Sequence, residues 1–240
     1  MNQANPAIIS GLVNLFKPTG ASSAHTVYRL RRVFGVRKVG HAGTLDPFAE
    51  GVLLGCVGRA TKLVERLMAL PKCYRTTIRL GVTNDTFDPE YPFVPVPTAR
   101  PVSRGDVESA VTGMIGEIEQ IPPAYSAVKI NGIRSYQLSR RGIHVEPRPK
   151  RVRIDRVEVL DYEWPCLCLE IRCGRGTYIR AIARDLGQIL ETGGCCETLI
   201  RTAVGPFTAD TAVNLDTAED SHVQSTLLSI EEVRRLILDP

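Results

Sequence analysis

The stretch from residue 166 to residue 194 limits the fold most, because it contains the patterns of a strand, a glycine turn and a helix in direct succession. Every second residue from Leu167 to Cys173 is apolar, as in a strand with one buried face. After the turn Gly174–Thr177, a helix is predicted from near Thr177 to before Gly193 by apolar residues at helical spacing: Ile179, Ile182, Ala183, Leu186, Ile189 and Leu190. The third glycine of a dinucleotide-binding G-x-G-x-x-G fingerprint would be residue 179, which is isoleucine, so that class of fold is excluded.

Other segments predict further helices and half-buried strands. A serine pair precedes a helix over 23–34, and strict alternation predicts a strand over 74–80. The capping box Ser103-x-x-Asp106 opens a helix over 103–115, and Ser229-x-x-Glu232 opens a last short helix. The order shows no regular βαβ repeat. The fold class is therefore α+β, with a mixed, largely antiparallel central sheet flanked by helices.

The charge of the chain is unevenly distributed. The formal net charge is +4, but residues 209–240 contain seven acidic and two basic residues, a net charge of −5 that leaves +9 for residues 1–208. A basic body of this kind favours a polyanionic partner such as nucleic acid.

The sequence also excludes several classes of protein. No apolar run approaches the roughly 20 residues that cross a bilayer, and the start MNQANPAIISG lacks the features of a signal peptide, so we expect a cytoplasmic protein. The seven cysteines form no C-x-x-C pair of a zinc site, and the four histidines form no H-E-x-x-H pair, so no metal site is predicted.

A strongly basic segment lies between Lys129 and Arg153. Proline residues bracket it, Tyr125 and Tyr136 lie within or beside it, and Glu146 is its only acidic residue. Its basic residues are Lys129, Arg134, Arg140, Arg141, Arg148, Lys150, Arg151 and Arg153. Lysine and arginine meet phosphates and tyrosine stacks on bases, so an arm that grips nucleic acid is predicted; the alternative is a mobile surface loop.

The most unusual short segment is residues 40–51, Gly-His-Ala-Gly-Thr-Leu-Asp-Pro-Phe-Ala-Glu-Gly. Pro47 restricts the backbone of Asp46 to extended conformations, so the aspartate occupies a tightly specified turn. Such a turn, with a histidine and two glycines beside it, is a candidate catalytic loop.

This segment resembles the catalytic motif of the TruB family of tRNA pseudouridine synthases. Four further segments resemble other motifs of the family, in the family's order: Asn14-Leu15-Phe16-Lys17-Pro18-x-Gly20, Lys72-x-Tyr74, Pro122-Pro123-x-Tyr125-Ser126-Ala127-x-Lys129 and Gly176-Thr177-Tyr178-Ile179-Arg180. The resemblance implies one pseudouridine synthase catalytic domain over 1–240, with a thumb-like RNA-gripping insertion at about 116–150. Many members carry a C-terminal PUA domain, and we expect the short acidic tail 209–240 to contain none.

The activity implied by the resemblance is isomerisation of a uridine to pseudouridine in the T-loop of tRNA, at position 55. The uridine is flipped out, its N-glycosidic bond breaks, and C5 of the turned uracil rejoins the ribose. The resemblance also implies that no cofactor or metal is required. The implied partner is the T-arm of tRNA, with no membrane or obligatory protein partner, and we expect a monomer.

The resemblance also assigns roles to single residues. Asp46 matches the nucleophile, which attacks either the base or the ribose. Arg180 matches the arginine that pairs with the aspartate, and Tyr74 the tyrosine that stacks on the uracil. The remaining implied substrate-binding residues are Lys17, Tyr178 and Leu199 in the pocket, His41 beside the extruded nucleotide, and Lys129, Arg140 and Arg141 in the arm. The sequence departs from the usual motifs at Asn84, within a usual Thr-Asp-Thr, and at Glu50, where threonine is usual.

Three alternative functions remain open at this point. A guide-dependent pseudouridine synthase of the ribonucleoprotein type shares the aspartate motif, although its PUA domain is not expected here. An RNA-folding factor would bind and release tRNA without chemistry, which leaves Asp46 and Arg180 unexplained. A small-molecule enzyme is disfavoured by the basic body.

Overall fold

The computed structural model describes residues 9–126, 129–130, 132–135, 138, 141–143 and 147–238, and these form two compact units. The first unit contains the described residues up to Lys72 and those from Arg201 onward, and the second contains those from Cys73 to Ile200.

The described α-helices are α1 (Ser23–Phe34), α2 (Val64–Ala69), α3 (Arg104–Gly113), α4 (Ile179–Ile189), α5 (Asp220–Ser225) and α6 (Ile230–Leu238). The strands are β1 (Gly11–Lys17), β2 (Val39–Ala42), β3 (Glu50–Val57), β4 (Lys72–Leu80), β5 (Val82–Thr83), β6 (Val94–Pro95), β7 (Gly116–Gln120), β8 (Lys129–Ile130), β9 (Ile133–Arg134), β10 (Lys150–Glu163), β11 (Cys166–Cys173), β12 (Gly194–Val204), β13 (Phe207–Thr208) and β14 (Val213–Asn214). Short 3-10 helices cover Gly58–Leu63 and Ala209–Thr211.

The sheet of the first unit is buried on both faces. Its strands β1 and β3 run antiparallel, with Gly11 opposite Val57 and Lys17 opposite Gly51, while β2 pairs with β3 and β14 lies parallel to β1. One face contributes Leu12, Val52 and Leu54 to a core covered by α2 and α6. The other contributes Val13, Leu15 and Leu53 to a core covered by α1 and α5. Two-sided burial explains why β1 and β3 are apolar almost throughout.

The C-terminal residues take part in both of these cores. Val223 of α5 and Val233 of α6 are each fully buried, and Leu228 exchanges two backbone hydrogen bonds of 2.9 Å with Leu12 of β1. The described residues 209–238, which include most of the acidic residues of the tail, are thus an integral part of the first unit.

The second unit contains strands in the order β12, β4, β11, β10 and β7, and β5–β6 and β8–β9 form two small hairpins. β10 pairs antiparallel with both β11 and β7. Helix α4 approaches β12 very closely, because a Cβ at Gly187 would lie 2.3 Å from the backbone of Gly193 and Gly194. Only glycine permits this contact.

The predicted elements agree with the structure in most places. The helices predicted over 23–34 and 103–115 and at Ser229 are confirmed, as are both half-buried strands. Helix α4 begins at Ile179, and Tyr178 is its N-cap. Ile189, the last residue of this helix, is 56% exposed. The α+β class with a largely antiparallel sheet is confirmed. Among the described residues, no helix is long and apolar enough to cross a membrane.

Candidate active site

Asp46 lies in the loop between β2 and β3, and hydrogen bonds fix this loop on both sides of the aspartate. The Ser23 hydroxyl donates to Leu45 O at 3.0 Å and lies 2.9 Å from the Leu45 backbone nitrogen. On the other side, the backbone N–H of Gly20 donates to Pro47 O at 2.8 Å. The Asp46 side chain is half-buried. A carboxylate on so constrained a backbone is held in one place, which suits a group that must meet a reacting atom.

Two buried cations hold the same loop. Lys17 Nζ donates to Pro18 O, Ala21 O and Pro47 O at 2.9, 2.7 and 3.3 Å. Arg201 Nε donates to Val52 O at 2.7 Å, and its terminal nitrogen donates to Gly43 O at 3.0 Å. Both side chains are almost fully buried. These hydrogen bonds of Lys17 and Arg201 all go to uncharged backbone carbonyls.

The electrostatic balance at Lys17 is set mainly by burial. Burial lowers the pKa of the Lys17 ammonium to about 8, and the Arg201 charge acts in the same direction. The carboxylates of Asp46 and Glu50 oppose this shift by favouring the charged lysine. Lys17 and Asp46, both predicted as site residues, therefore interact electrostatically in the structure.

Two further features complete this part of the first unit. Gly51 of β3 has φ 105°, and a Cβ there would lie 2.3 Å from Arg201 O. Only glycine therefore fits where β3 passes the backbone of Arg201. His41 lies in β2 opposite Gly55 and is half-buried. The predicted residues Lys17, His41 and Asp46 thus belong to two strands that both pair with β3 and to the loop that leads into β3.

In the second unit, the start of α4 holds Tyr178 and Arg180. The Tyr178 backbone N–H donates to the Gln120 side-chain oxygen at 2.8 Å, and the Gln120 amide returns a bond to Tyr178 O at 3.2 Å. Gln120 is 1% exposed, so this pairing fixes the first turn of α4 within the interior. The N-cap residue Tyr178 makes no side-chain capping hydrogen bond, and Gln120 satisfies its backbone N–H.

Arg180 is a buried cation with a buried carboxylate partner, Asp88. One terminal nitrogen lies 2.9 Å from Asp88 Oδ2 and donates to Thr86 O at 3.0 Å. The other donates to Tyr125 O at 2.8 Å. Both side chains of the ion pair are 3% exposed. A desolvated pair of this kind is stable only when further hydrogen bonds satisfy both groups, and the backbone carbonyls supply them to Arg180.

The loop that carries Asp88 is organised by Asn84. The Asn84 amide donates to Asp88 O and Tyr91 O at 2.7 and 2.9 Å, and its oxygen accepts from the backbone N–H of Phe87 at 2.6 Å. Phe87 has φ 57°, an uncommon value for a residue other than glycine. Asn84, which departs from the usual motif, is thus the residue around which this turn is built.

The two other predicted residues of the second unit lie on its sheet. Tyr74 belongs to the buried face of β4 and is 9% exposed, and Leu199 belongs to β12 and is 6% exposed.

The basic arm leaves and re-enters the sheet at one place. β7 ends at Gln120 and β10 begins at Lys150, and these two residues face each other across the antiparallel pair. Within the arm, Arg141 is exposed and the backbone of Lys129 pairs with that of Arg134. Arg140 lies outside the described residues. Among the described residues, no group of three or more His, Cys, Asp and Glu side chains could hold a metal ion.

Comparison with known proteins identifies the family. Residues 31–179 match the TruB family pseudouridylate synthase N-terminal domain, and residues 180–239 match the tRNA pseudouridylate synthase B C-terminal domain. The chain belongs to the TruB family. A TruB-family relative from Symbiobacterium thermophilum, tRNA pseudouridine synthase B, is 44% identical over 211 residues, which cover 87% of this chain and 71% of the relative. A second, of the same name from Mycobacterium sp. (strain KMS), is 47% identical over 214 residues, covering 88% and 72%.

Solved structures agree with the TruB assignment. A chain from the "Crystal Structure of a Cbf5-Nop10-Gar1 Complex" has a TM-score of 0.72 and 26% identity, over 94% of this chain and 62% of that chain. This chain thus spans less than two thirds of that structure's length. A chain from "Structure of H/ACA RNP bound to a substrate RNA containing 2'-deoxyuridine", with a TM-score of 0.69 and 23% identity over 94% of this chain and 61% of that chain, shows the same fold. The predicted pseudouridine synthase fold is therefore confirmed.

As a TruB-family protein, the chain is an isomerase that acts on tRNA and converts uridine to pseudouridine.

Sequence reasoning missed three residues of the candidate site: Asp88, Gln120 and Arg201. A buried arginine such as Arg180 demands a buried acid, but Asp85, Asp88 and Glu90 all precede it at similar separations, and only the fold selects among them.

Proposed function

We propose that the chain isomerises the uridine at position 55 in the T-loop of tRNA, with Asp46 as the nucleophile. The observation that carries this proposal is the setting of Asp46: a half-buried carboxylate on a loop that two buried cations, Lys17 and Arg201, hold through backbone carbonyls, with the charge of Lys17 close enough to interact with it. A carboxylate nucleophile must be ionised, and neighbouring positive charge favours that form.

Asp46 bonds to the base or to the ribose in this scheme, and the N-glycosidic bond breaks. The uracil turns, C5 bonds to the ribose carbon, and the hydrogen on C5 is lost to solvent as Asp46 is released. No electrons leave the nucleoside, and the C5 hydrogen is replaced by one on nitrogen. Because the overall change is an isomerisation, it consumes no oxidant, reductant or group donor, and we propose that it needs no cofactor.

Two residues of the second unit serve this chemistry. Arg180 supplies positive charge to the reaction, and its buried ion pair with Asp88 and two carbonyl bonds hold the guanidinium in one orientation. Tyr74 stacks on the target uracil, as aromatic rings do with bases removed from a stack. Tyr178, Leu199, Lys17 and His41 complete the surroundings of the flipped nucleotide.

The arm binds the T-arm of tRNA. Its residues Lys129, Arg140 and Arg141 contact phosphates, and these contacts offset the few kcal/mol that unstacking the target base costs. The exposure of Arg141 and Lys150 supports this role, because side chains that contact phosphates must be accessible.

Tritium release from tRNA transcript labelled at C5 of uridine tests the proposal. The wild-type chain releases tritium in EDTA without added cofactor, and the product maps to the T-loop uridine. Asp46→Asn releases none while binding tRNA within about threefold of wild type, because the amide keeps the shape but cannot attack. Asp161→Asn, a change of the same kind at an exposed position of β10, is the control and behaves as wild type.

Other outcomes separate the parts of the proposal. Release that maps to another uridine contradicts the T-loop assignment alone, and release by Asp46→Asn contradicts the nucleophile. A strict requirement for a metal ion with prefolded tRNA contradicts the cofactor-free scheme. Tight binding without release by wild type favours an RNA-folding factor.

A further inference from the structure

Helix α4 fastens the base of the arm to the loop that carries Asp88. The N-cap Tyr178 pairs with Gln120, the last residue of β7. Two residues of the helix contact residues 121–125, the outgoing leg of the arm: Arg184 donates to Ile121 O at 2.9 Å, and Arg180 donates to Tyr125 O at 2.8 Å. The outgoing leg therefore lies along the first two turns of the helix.

Arg184 repeats the bridging pattern of Arg180 one helical turn later. Arg180 joins the Tyr125 carbonyl to Asp88 and Thr86 O. Arg184 joins the Ile121 carbonyl to the ring of Phe87, with its guanidinium carbon 5.6 Å from the ring centroid. Both arginines thus connect the same two segments, residues 86–88 and residues 121–125.

The contacts of Arg184 fall on a part of the loop that needs support. Phe87 has φ 57°, and its peptide is held by the bond from its N–H to Asn84 and by the Cys196 N–H, which donates to Phe87 O at 2.9 Å. The Arg184 side chain is 14% exposed, so its contact with the ring is largely desolvated and stronger than one at the surface. Asp185 lies 2.7 Å from the Arg184 guanidinium and fixes its plane.

We propose that Arg184 is a positioning residue for the isomerisation. It holds the Phe87 turn and the outgoing leg of the arm at the separation that Arg180 must bridge. Loss of Arg184 releases both segments at once, and Arg180 then loses the fixed orientation of its guanidinium. The inference rests on the proposed role of Arg180 in the reaction.

A double-mutant cycle tests the inference on the full chain. Arg184→Gln, Arg180→Lys and the double variant are compared by the single-turnover rate of pseudouridine formation at saturating tRNA, by the tRNA Kd, and by Tm. We expect Arg184→Gln to slow the reaction about tenfold or more, as misplacement of a distant support does, with the Kd within about threefold. Arg184→Lys, which keeps a charged donor for Ile121 O, recovers part of the rate.

The decisive result is the double variant. If Arg184 acts through Arg180, adding Arg184→Gln to Arg180→Lys slows the reaction by less than about threefold, because coupled residues are non-additive. Multiplicative effects overturn the inference. The inference is also overturned if the rate of Arg184→Gln falls only in proportion to the unfolded fraction of that variant. The comparison is made at a temperature where wild type and Arg184→Lys are folded.

Arg104→Gln is the matched control, because Arg104 also has a carboxylate partner, Glu108, but lies exposed on α3. It leaves the rate unchanged. The cycle also separates the inference from the proposed function. If Arg180→Lys has no effect, the role of Arg180 in the reaction fails; if Arg180→Lys is slow and Arg184→Gln is not, only the inference about Arg184 fails.

Discussion

At the scale of the residue, the first unit buries a lysine and an arginine that both hold the loop of Asp46, the proposed nucleophile. Burying an ammonium costs free energy, and the three hydrogen bonds that Lys17 donates to backbone carbonyls offset part of that cost. The same bonds tie the turn after β1 to the Asp46 loop. One buried charge therefore fixes the loop that carries Asp46.

The burial of Lys17 has a consequence for stability. The pKa of the ammonium is about 8 in the folded chain and 10.5 as the ordinary value, so between these pH values the unfolded chain binds the proton and the folded chain does not. The free energy of unfolding therefore rises with pH across this window, by up to about 1.4 kcal/mol per pH unit. Relative to Lys17→Met, wild type should gain about 2 kcal/mol between pH 7 and pH 9.5.

Urea unfolding of both chains at each pH measures this difference. Burial also raises the pKa of the Cys56 and Cys195 thiols to about 12. As the pH rises, these cysteines ionise in the unfolded chain before they do so in the folded chain, which lowers the free energy of unfolding. That contribution is present in both chains and cancels. Parallel stability curves would show that Lys17 keeps its proton when folded.

The residues that sequence reasoning found and missed differ in a physical way. Asp46 and Arg180 lie in short segments that resemble family motifs, so the sequence singles both out as candidates. Arg201 holds Gly43 and Val52, about 150 residues earlier in the chain. Such a contact depends on how β3 and the end of β12 meet, and no local pattern encodes it.

At the scale of the element, the last helix shows how local signals and long-range packing combine. The capping box is formed as predicted: the Ser229 N–H donates to the Glu232 carboxylate at 2.7 Å, and the Glu232 N–H donates to Ser229 Oγ at 3.2 Å. These hydrogen bonds lower the pKa of Glu232. The helix was predictable from its cap, whereas its docking on the core of the first unit was not, because only Val233 of this helix is fully buried.

The docking of α6 predicts a clear difference between two truncations. Val233→Ala should lower the free energy of unfolding by about 2 kcal/mol, because it removes buried methyl groups and leaves a cavity. Leu236→Ala removes more apolar volume but lies at a 39% exposed position, and should cost less than about 1 kcal/mol. Denaturant unfolding of the two variants checks the order. Equal costs would mean that α6 does not stabilise the core.

At the scale of the whole molecule, charge is divided along the chain. Residues 1–208 have a net charge of +9, and residues 209–240 have −5. Eight basic residues lie between Lys129 and Arg153, where the arm leaves and rejoins the sheet. A polyanion is therefore attracted most strongly to one segment of the chain, and its binding should depend on salt through that segment.

Replacing Arg140, Arg141 and Lys150 by alanine should weaken tRNA binding and flatten its salt dependence. Each lost phosphate contact lowers the slope of log K against log salt by about 0.7 to 0.9, so three contacts lower it by roughly 2 to 3. Filter binding of tRNA between low and physiological salt measures the slope. The control replaces Arg104, Arg234 and Arg235, which removes the same charge from exposed positions of α3 and α6. If both triple variants change the slope equally, net charge governs binding and the arm makes no specific phosphate contacts; a loss confined to the arm variant identifies the arm as the surface that releases counterions.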